Sequence, residues 1–545
     1  MKRVARVLTA LALAFAAAAA VTAAHAAAPL PQIVSKDGRH ALHVDGAPYL
    51  LLGAQANNSS NYPAMLPKVW PVIRQMGANT LEIPIGWEQV EPVEGRFDFS
   101  FLDVLLQEAR ANGVRIVLLW FGTWKNTSPN YAPEWVRTNT ARFPRMKTAD
   151  GKTHYVLSPH GAETLAADRR AFVRLMEHIR AHDPQHTIIM VQPQNEMGSY
   201  GLTRDHAPEA DALFRGPVPP EVARHKGRSG TWRDLYGEFA EQAFTVWHMA
   251  RYTDAIAAAG KAVKPLPMYT NAALGDPFDA KAAIHSATGG PQWNMIDLWK
   301  LAAPHIDFVA PDIYTRDHKA YVAYLDHYAR PDNALMVPET GNAADYARFF
   351  WAALGKGAIG YAPFGMDASG YSNYPLGAKT LDHVTIEAFG AKYRLFAPIH
   401  RHWAAIAAEK PLWGAAKSAD AADQSAVMGR WRVTAQFELW EFGEREWTWI
   451  ETDPHPTKGK PVGGMVAAQL GPDEFLVAGS DVRIRFALAA PQAGENGTML
   501  RVEEGTFAPD GTWTTTRLWN GDQTDYGLNF TSEPKLLRVR LGSYR

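Results

Sequence analysis

The sequence predicts an α/β fold: a (β/α)₈ TIM barrel followed by a C-terminal antiparallel, β-sandwich-like domain. Eight short apolar runs alternate with longer amphipathic segments over the first 409 residues. The runs are almost continuously apolar, which is typical of parallel strands that are buried on both faces. From about residue 410 the pattern changes to short runs of period-two alternation, separated by turn residues and without a helical segment.

Each of the eight runs has the length of a strand and is bounded by turn residues. In chain order the runs are "PYLLLGAQ" (48–55), "NTLEIPI" (79–85), "VRIVLLWF" (114–121), "TIIMVQPQ" (187–194), "PLPMYTNA" (265–272), "IDFVAPDIY" (306–314), "ALMVPE" (334–339) and "AIGYAPF" (358–364). Between them, apolar residues at i, i+3, i+4 and i+7 predict helices such as 101–113, 168–183 and 240–261. Eight such pairs are what a (β/α)₈ barrel requires.

Three connections in the predicted barrel are unusually long and polar. They follow the third strand (122–162), the fourth strand (197–231) and the eighth strand (365–380). In an α/β barrel these loops share the face at the carboxyl ends of the strands, where active sites are built. The predicted barrel occupies residues 27–409, and the C-terminal β domain occupies residues 410–545.

The first 26 residues have the composition of a secretory signal peptide. A basic start, "MKRVAR", precedes an apolar run, and "AHA" at 24–26 is a small-x-small cleavage site. We expect an exported protein, periplasmic or secreted, whose mature chain begins near Ala27. An uncleaved membrane anchor is the alternative; after signal cleavage we expect no membrane association.

Composition narrows the classes of function. The chain has no cysteine, so thiol chemistry and thiolate metal sites are excluded. Removing residues 1–26 reduces the basic residues from 55 to 52 against 56 acidic ones, a net charge of −4. This balance gives no sign of a nucleic-acid-binding surface.

Two glutamates close predicted strands of the barrel. Glu196 follows the fourth strand and Glu339 ends the seventh, 143 positions later, so three βα units separate them. The ends of these two strands lie on nearly opposite sides of one barrel mouth. Glycosidic cleavage with retention needs this arrangement, one carboxylic acid and one carboxylate ~5 to 5.5 Å apart. We predict Glu196 to be the acid/base and Glu339 to be the nucleophile; for a lone strand-end glutamate, a salt bridge is the alternative.

Other polar and aromatic residues follow the same strand ends. Asn195 is placed to bind a sugar hydroxyl beside Glu196, and the Tyr314 phenol is placed to hydrogen-bond Glu339 and keep it ionised. Further candidates for sugar binding follow the first, third and eighth strands. They are Asn57, Asn58, Trp120, Trp124, Lys125, Asn126 and Phe364. For each of these residues alone, a place in the core, in a turn or in a solvated loop is the alternative.

Two stretches resemble glycoside hydrolase family 35. They are "NTLEIPIGWEQVEPVEGRFDF" (79–99) and "IIMVQPQNEMGSYG" (188–201), in which Asn195 and Glu196 match the Asn-Glu pair of the family's acid/base. "LMVPETGN" keeps the nucleophile but lacks the aromatic residues that follow it in eukaryotic members, and "FGTWKNTSPNYAPEW" replaces the family's "AEW" box. These departures, with the C-terminal "LWNGDQTDYG", resemble a bacterial subgroup with a small C-terminal β domain.

The resemblance implies a retaining, exo-acting β-galactosidase that removes terminal galactose and needs no metal or organic cofactor. The expected partner is a carbohydrate, a galactose-terminated glycan, and the sequence favours no particular oligomeric state. The alternatives are another retaining enzyme of the same barrel clan, such as a β-glucosidase or an arabinosidase, and a non-catalytic sugar-binding barrel. The C-terminal domain is a further candidate for polysaccharide binding through Trp513 and Trp519, for which core packing is the alternative.

Overall fold

A computed structural model describes residues 28–284, 286–440 and 442–545. The predicted signal peptide, residues 1–26, lies outside the described residues. The strands up to residue 409 are β1 (Gln32–Lys36), β2 (Arg39–Val44), β3 (Ala47–Tyr49), β4 (Leu51–Gln55), β5 (Thr80–Gly86), β6 (Arg115–Lys125), β7 (Arg145–Lys147), β8 (Thr153–Leu157), β9 (Ile188–Asn195), β10 (Tyr269–Ala273), β11 (Phe308–Ile313), β12 (Met336–Thr340) and β13 (Gly360–Pro363).

Helices alternate with the strands of this region. The α-helices are α1 (Leu66–Met76), α2 (Trp87–Val90), α3 (Ser100–Asn112), α4 (Glu134–Arg137), α5 (Ala162–His182), α6 (Pro208–Arg215), α7 (Pro220–Lys226), α8 (Trp232–Tyr236), α9 (Ala240–Val263), α10 (Ala280–Ala283), α11 (Ile296–Ala302), α12 (His318–Tyr328), α13 (Phe349–Gly355), α14 (His383–Phe396) and α15 (His400–Glu409). Short 3₁₀ helices lie at Pro63–Met65, Gly237–Phe239, Trp293–Met295, Ala344–Arg348, Ala397–Ile399 and Gly521–Gln523. Within the described ranges, no helix has the length and apolarity needed to cross a membrane.

Eight parallel strands form the predicted barrel. Their order is β10-β11-β12-β13-β4-β5-β6-β9, and a parallel bridge between Val191 and Met268 closes the ring between β9 and β10. Strands such as β5, β9 and β12 are buried along their whole length, because the barrel interior covers one face and the helices cover the other. The predicted (β/α)₈ fold is confirmed.

An N-terminal sheet, which the sequence pattern did not predict, closes one end of the barrel. Strands β1, β2 and β3 pair antiparallel before the first barrel strand. Leu42, Val44 and Tyr49 from this sheet are buried in one cluster with interior residues near the amino ends of the barrel strands, including Val117 and Phe308. The barrel therefore opens at its other end, where the strands have their carboxyl termini.

The chain after residue 409 forms two antiparallel sheets. Its strands are β14 (Leu412–Ala416), β15 (Gln424–Met428), β16 (Trp431–Gln436), β17 (Gly464–Gly471), β18 (Glu474–Ser480), β19 (Val482–Leu488), β20 (Asn496–Phe507), β21 (Trp513–Leu518), β22 (Leu528–Phe530) and β23 (Lys535–Tyr544). The order is β14-β17-β18-β23-β20-β21 in one sheet and β15-β16-β19-β22 in the other. Val433 and Ile484 of the smaller sheet share a buried core with Val477 and Leu537 of the larger sheet, as expected for a sandwich.

The larger sheet also packs against the barrel through its other face. Val466 and Leu476 are buried in the same cluster as the barrel helices, including Trp351 of α13. The approach is close enough to require glycine, because a Cβ on Gly414 would lie 2.2 Å from the carbonyl oxygen of Trp351. Trp519 is buried and Trp513 is half-buried against Phe507, so both indoles are packing residues and not an exposed sugar-binding pair.

Candidate active site

A cavity of about 910 Å³ opens at the carboxyl ends of the barrel strands. The residues that line it lie at the ends of β6, β10, β11 and β12 or in segments that follow the barrel strands, so side chains far apart in the chain converge there. The cavity is lined by the predicted residues Asn57, Asn58, Lys125, Asn126, Glu196, Tyr314, Glu339 and Phe364. Its volume lies in the range of small-molecule sites.

The two predicted glutamates face each other in this cavity. Glu196 follows β9 directly, and Glu339 lies in β12 and is 4% exposed. A carboxylate oxygen of each lies within 4.8 Å of the other. The carboxyl groups of retaining glycosidases lie ~5 to 5.5 Å apart and those of inverting ones ~6.5 to 9.5 Å, so a pair of oxygens this close favours the retaining arrangement.

Three side chains donate hydrogen bonds to Glu339. Oε1 accepts from Gln55 Nε2 at 3.0 Å and from Asn195 Nδ2 at 3.3 Å. Oε2 accepts from the Tyr314 hydroxyl at 2.8 Å, which is the contact expected from the position of Tyr314 at the end of its strand. Donors of this kind stabilise the ionised carboxylate and fix its orientation.

Glu196 has a different environment. Burial and the nearby charge of Glu339 raise its pKa to about 7, against the opposing effects of Lys125 and of a hydrogen bond with Asp312. A carboxyl group with a raised pKa stays protonated at a higher pH than usual, as a general acid requires. The Glu196 backbone N–H donates to Asn271 Oδ1 at 2.9 Å, which fixes the chain at this point.

A third carboxyl group, Asp312, completes the cluster. Its oxygens lie within 4.8 Å of those of Glu196 and Glu339. Asp312 Oδ2 accepts from Asn271 Nδ2 at 2.6 Å, whereas Oδ1 has no donor among the described residues. Burial and the charges of Glu339 and Glu196 raise the pKa of Asp312 well above its usual value. The raised pKa favours the protonated form of Asp312, because two ionised carboxylates at this distance would repel each other.

The backbone around Glu196 is strained, and side-chain hydrogen bonds outside the cavity stabilise it. Gln194 and Glu196 have φ values of 64° and 42°, which non-glycine residues seldom adopt. Asp168 of α5 supports this segment by accepting from Gln194 Nε2 at 2.7 Å and from the Thr123 backbone N–H at 3.0 Å. Gln194 Oε1 in turn accepts from the Trp124 backbone N–H at 2.9 Å. The side-chain amide of Gln194 therefore stabilises the local fold and does not bind a ligand in the cavity.

The prediction that Trp120 and Trp124 bind sugar is wrong. Both indoles are fully buried on the helix-facing side of β6. Trp120 Nε1 donates to Asp168 at 2.8 Å, and the Trp124 ring packs at 4.6 Å from the ring of Tyr252 in α9. Because side chains alternate along a strand, these even-numbered residues point away from the barrel interior while Lys125 points into the cavity.

The remaining predicted residues lie at the cavity. The Lys125 ammonium contacts Asn126 Oδ1 and lies 5.1 Å from the centre of the Phe121 ring. The Asp367 carboxylate accepts hydrogen bonds from the Asn57 backbone N–H at 2.7 Å and from Asn57 Nδ2 at 2.9 Å. Asn57 Oδ1 is left without a donor in the described structure, and Phe364 is 6% exposed in the cavity wall.

Several cavity residues were missed in the sequence analysis. Gln55 ends the first barrel strand, and Asp312 lies two positions before Tyr314 on the same face of its strand, so strand alternation was a usable signal for Asp312. Tyr131, Tyr200 and Tyr371 lie in the long loops and line the mouth. No periodic pattern marks residues in such loops.

The three carboxylates have a spacing that would also suit a cation. The lone pairs of Glu339, however, already accept from Gln55, Asn195 and Tyr314. Donors aimed at a carboxylate compete with a metal ion for the same oxygens. The hydrogen-bonding pattern of Glu339 therefore favours a free carboxylate over a metal ligand.

Fold and site together define a (β/α)₈-barrel protein with a facing pair of glutamates at the mouth. Comparison of the sequence with known proteins shows which families parts of the chain resemble. The model of glycoside hydrolase family 42, described as beta-galactosidase, matches residues 65–223. Residues 389–531 match a domain of unknown function, DUF5597. The resemblance to family 35 is not confirmed, because the match falls on family 42; the likeness to beta-galactosidases is confirmed.

Two of the curated relatives that the sequence resembles are also described as beta-galactosidases. A beta-galactosidase of Xanthomonas manihotis is 30% identical over 173 residues, covering 31% of this chain and 26% of the relative. The beta-galactosidase BgaA of a Thermus species is 26% identical over 195 residues, covering 33% and 29%. The chain thus spans little more than a quarter of the length of these relatives.

Solved structures with a related shape are also beta-galactosidases. The enzyme from the psychrophilic Marinomonas ef1 aligns with a TM-score of 0.48 at 12% identity, covering 66% of this chain and 62% of that one. The enzyme from Rahnella sp. R3 aligns with a TM-score of 0.46 at 14% identity, covering 66% and 60%.

Proposed function

We propose that this protein is a retaining, exo-acting β-galactosidase that releases terminal β-D-galactosyl residues from oligosaccharides or polysaccharide side chains. The observation that carries the proposal is the spacing of Glu196 and Glu339, whose carboxylate oxygens lie within 4.8 Å across the cavity. A binding protein needs neither a strongly oriented carboxylate nor a neighbouring acid with a raised pKa. The beta-galactosidases among the sequence relatives support galactose as the sugar.

In the first step Glu339 attacks the anomeric carbon of the bound galactoside. The bond from this carbon to the glycosidic oxygen breaks, and Glu196 donates its proton to the leaving oxygen. The product is a covalent galactosyl ester of Glu339 and a free alcohol. The hydrogen bonds to Glu339 from Tyr314 and Gln55 hold the attacking oxygen in place before the reaction.

In the second step a water molecule attacks the same carbon from the face that the alcohol left. Glu196, now ionised, takes a proton from this water, and the ester bond to Glu339 breaks. Two inversions at one carbon give net retention. Asn195, which donates to Glu339, is placed to meet the sugar hydroxyl next to the anomeric carbon.

Asp312 assists Glu196 by remaining neutral. When Glu196 is ionised between the two steps, the proton of Asp312 is donated to it in a hydrogen bond, which stabilises the base form. Asn271 orients both partners, because it binds Asp312 Oδ2 and the Glu196 backbone N–H. Asp312 is therefore a positioning residue.

For Asp312 we expect the amide variant to be far milder than truncation. Asp312→Asn keeps a neutral hydrogen-bond donor, so its kcat should stay within about threefold of the unsubstituted protein. Asp312→Ala removes the donor, and its kcat should fall by about 10-fold or more, since hydrogen bonds to charged groups contribute ~1.5 to 3 kcal/mol. Measuring kcat against pH for both variants tests this; equal losses in the two would show that Asp312 must be ionised.

For Tyr314 we expect the hydroxyl to matter more than the ring. Tyr314→Phe removes the donor to Glu339 Oε2, and kcat/KM should fall about 10- to 100-fold by the same reasoning. Tyr49→Phe is a matched control, because that phenol donates to the Asn79 carbonyl at the closed end of the barrel and does not line the cavity. A Tyr314→Phe enzyme with unchanged kinetics would remove Tyr314 from the mechanism.

A panel of nitrophenyl glycosides tests the sugar. Hydrolysis of the β-galactoside in preference to the β-glucoside and the α-arabinoside supports the proposal. Preference for one of the latter two would make the protein another retaining glycosidase of this type, and binding of galactose without cleavage of any member would make it a sugar-binding barrel.

We also propose that the protein is exported, since residues 1–26 have the sequence of a signal peptide.

A further inference from the structure

A strip of aromatic side chains lies on the C-terminal domain, and none of these side chains lines the catalytic cavity. It consists of Phe442, Trp447, Trp449 and Tyr526, and is called the aromatic strip below. The Trp447 and Trp449 rings stack at 5.0 Å with 18° between their planes, and Phe442 contacts both Trp447 at 6.0 Å and Tyr526 at 6.4 Å. Trp449 is 69% exposed and Tyr526 is 62% exposed. A contiguous exposed aromatic surface of this kind marks a binding site.

A groove of about 440 Å³ in the same domain is linked to the aromatic strip. Trp440 lines it and contacts Trp447 edge-on at 6.2 Å. The other lining groups include carboxylates, amides and an imidazole, which suit hydroxyl groups: Glu438, His455, Asp522, Gln523 and Asn529. Aromatic faces beside convergent hydrogen-bonding groups are the chemistry that recognises sugar rings.

The segment 438–461 carries most of the aromatic strip, and contacts with Lys417 anchor its two ends. The buried Lys417 ammonium pairs with Glu438 and donates to the carbonyls of Thr457 at 2.7 Å and Lys460 at 2.9 Å. The backbone N–H of Gly459 donates to Glu438 Oε1 at 2.8 Å. These contacts hold the two ends of the segment together, so its exposed rings project from a fixed base.

The segment reaches the barrel on the side of the catalytic mouth. Arg348, which follows the strand of Glu339, donates to the carbonyl of Pro461 at 3.2 Å. It also donates to the carbonyl of Arg316 at 2.9 Å, and Arg316 in turn binds the Pro375 carbonyl in the loop after the eighth barrel strand. These contacts link the segment to the loops that follow the strands of the catalytic face.

Charge selects among the partners that an aromatic surface can have. Residues 438–453 contain six acidic residues and one basic residue, Arg445. Two copies of this segment facing each other across a two-fold axis would place like charges together, and nucleic acids, anionic membranes and acidic polysaccharides would be repelled. A neutral partner is not repelled.

From these observations we infer that the aromatic strip and its groove bind a neutral glycan chain, the backbone of the polysaccharide whose galactosyl ends enter the cavity. The inference rests on the proposed function for the choice of polymer. Binding there raises the local concentration of terminal residues at the mouth, as a second binding site does.

The test is affinity electrophoresis of the full chain in gels that contain galactosylated xyloglucan, with polygalacturonate gels for comparison. Glu339→Gln is the background, so that the polymer stays intact. Adding Trp449→Ala should weaken binding to the neutral polymer by about threefold to 10-fold, the effect of one stacked ring. Tyr544→Ala is the matched control, because Tyr544 is 57% exposed at the end of β23 and outside the aromatic strip.

Trp449→Ala in the Glu339-intact chain should leave hydrolysis of a nitrophenyl β-galactoside unchanged. Equal retardation with and without Trp449, stronger binding to polygalacturonate, or a change in sedimentation mass caused by Trp449→Ala would each overturn the inference; the last result would identify a contact between copies. Failure of the unsubstituted chain to cleave any nitrophenyl glycoside would overturn the proposed function. The gel result would still decide whether the aromatic strip binds glycan.

Discussion

Replacing Glu339 with alanine should reduce turnover of a nitrophenyl β-galactoside by ~10⁴-fold or more, because the variant has no group to form the covalent intermediate and enzymatic accelerations are of this order or larger. Sodium azide should restore part of the activity. Azide fits the space of the missing carboxylate and attacks the anomeric carbon from the nucleophile's side, so the product should be the α-galactosyl azide.

The Glu339 result needs a control for general damage. Glu177→Ala provides one. Glu177 lies on α5 and is not among the residues that line the cavity. Among the contacts described for it, its carboxylate pairs only with Arg174, at 3.3 Å. Its turnover should equal that of the unsubstituted protein. Turnover in Glu339→Ala that matches this control would exclude Glu339 as the nucleophile.

Replacing Glu196 with alanine should have an effect that depends on the leaving group. For an oligosaccharide, whose leaving alcohol needs a proton, kcat/KM should fall about 10²- to 10⁴-fold, the usual contribution of general acid catalysis. For a dinitrophenyl galactoside, which needs no proton, the first step should be nearly unaffected and the intermediate should accumulate. Azide should then yield the β-galactosyl azide, the opposite anomer to that from Glu339→Ala.

The pH dependence follows from the same residue. Glu196 must be protonated to act as the acid, and its pKa is raised to about 7. In the unsubstituted enzyme kcat/KM should therefore fall as the pH rises through about 7. Glu196→Ala should lose this basic limb in its residual hydrolysis of an oligosaccharide, whose leaving alcohol needs the proton. A basic limb that persists in the variant would assign the titration to another group.

The barrel was predictable because its physical requirements are visible in the sequence. The run "TIIMVQPQ" is apolar throughout as far as Val191 since both faces of the strand are covered, and it matches β9 to within one residue at each end. Glu196 and Glu339 were predictable for a related reason: polar groups at the ends of buried strands remain only where something uses them. Strand position alone placed both at the mouth.

The rest of the site depends on which way each side chain faces. Trp120 and Trp124 close a strand near the mouth, yet alternation turns both towards the helices. The role of Asp168, a helix residue 28 positions before Glu196, follows only from the tertiary contact with Gln194. The N-terminal sheet was missed because its short strands alternate weakly and precede the strong pattern of the barrel.

The separation of Glu196 and Glu339 is tested most directly by the configuration of the first product. Proton NMR of a nitrophenyl β-galactoside, followed from the first minutes of hydrolysis, shows which anomer of galactose appears before mutarotation mixes the two. Carboxylate oxygens within 4.8 Å leave no room for a water molecule between Glu339 and the anomeric carbon, so β-galactose should appear first. Initial release of α-galactose would show inversion and would contradict the assignment of Glu339 as a nucleophile.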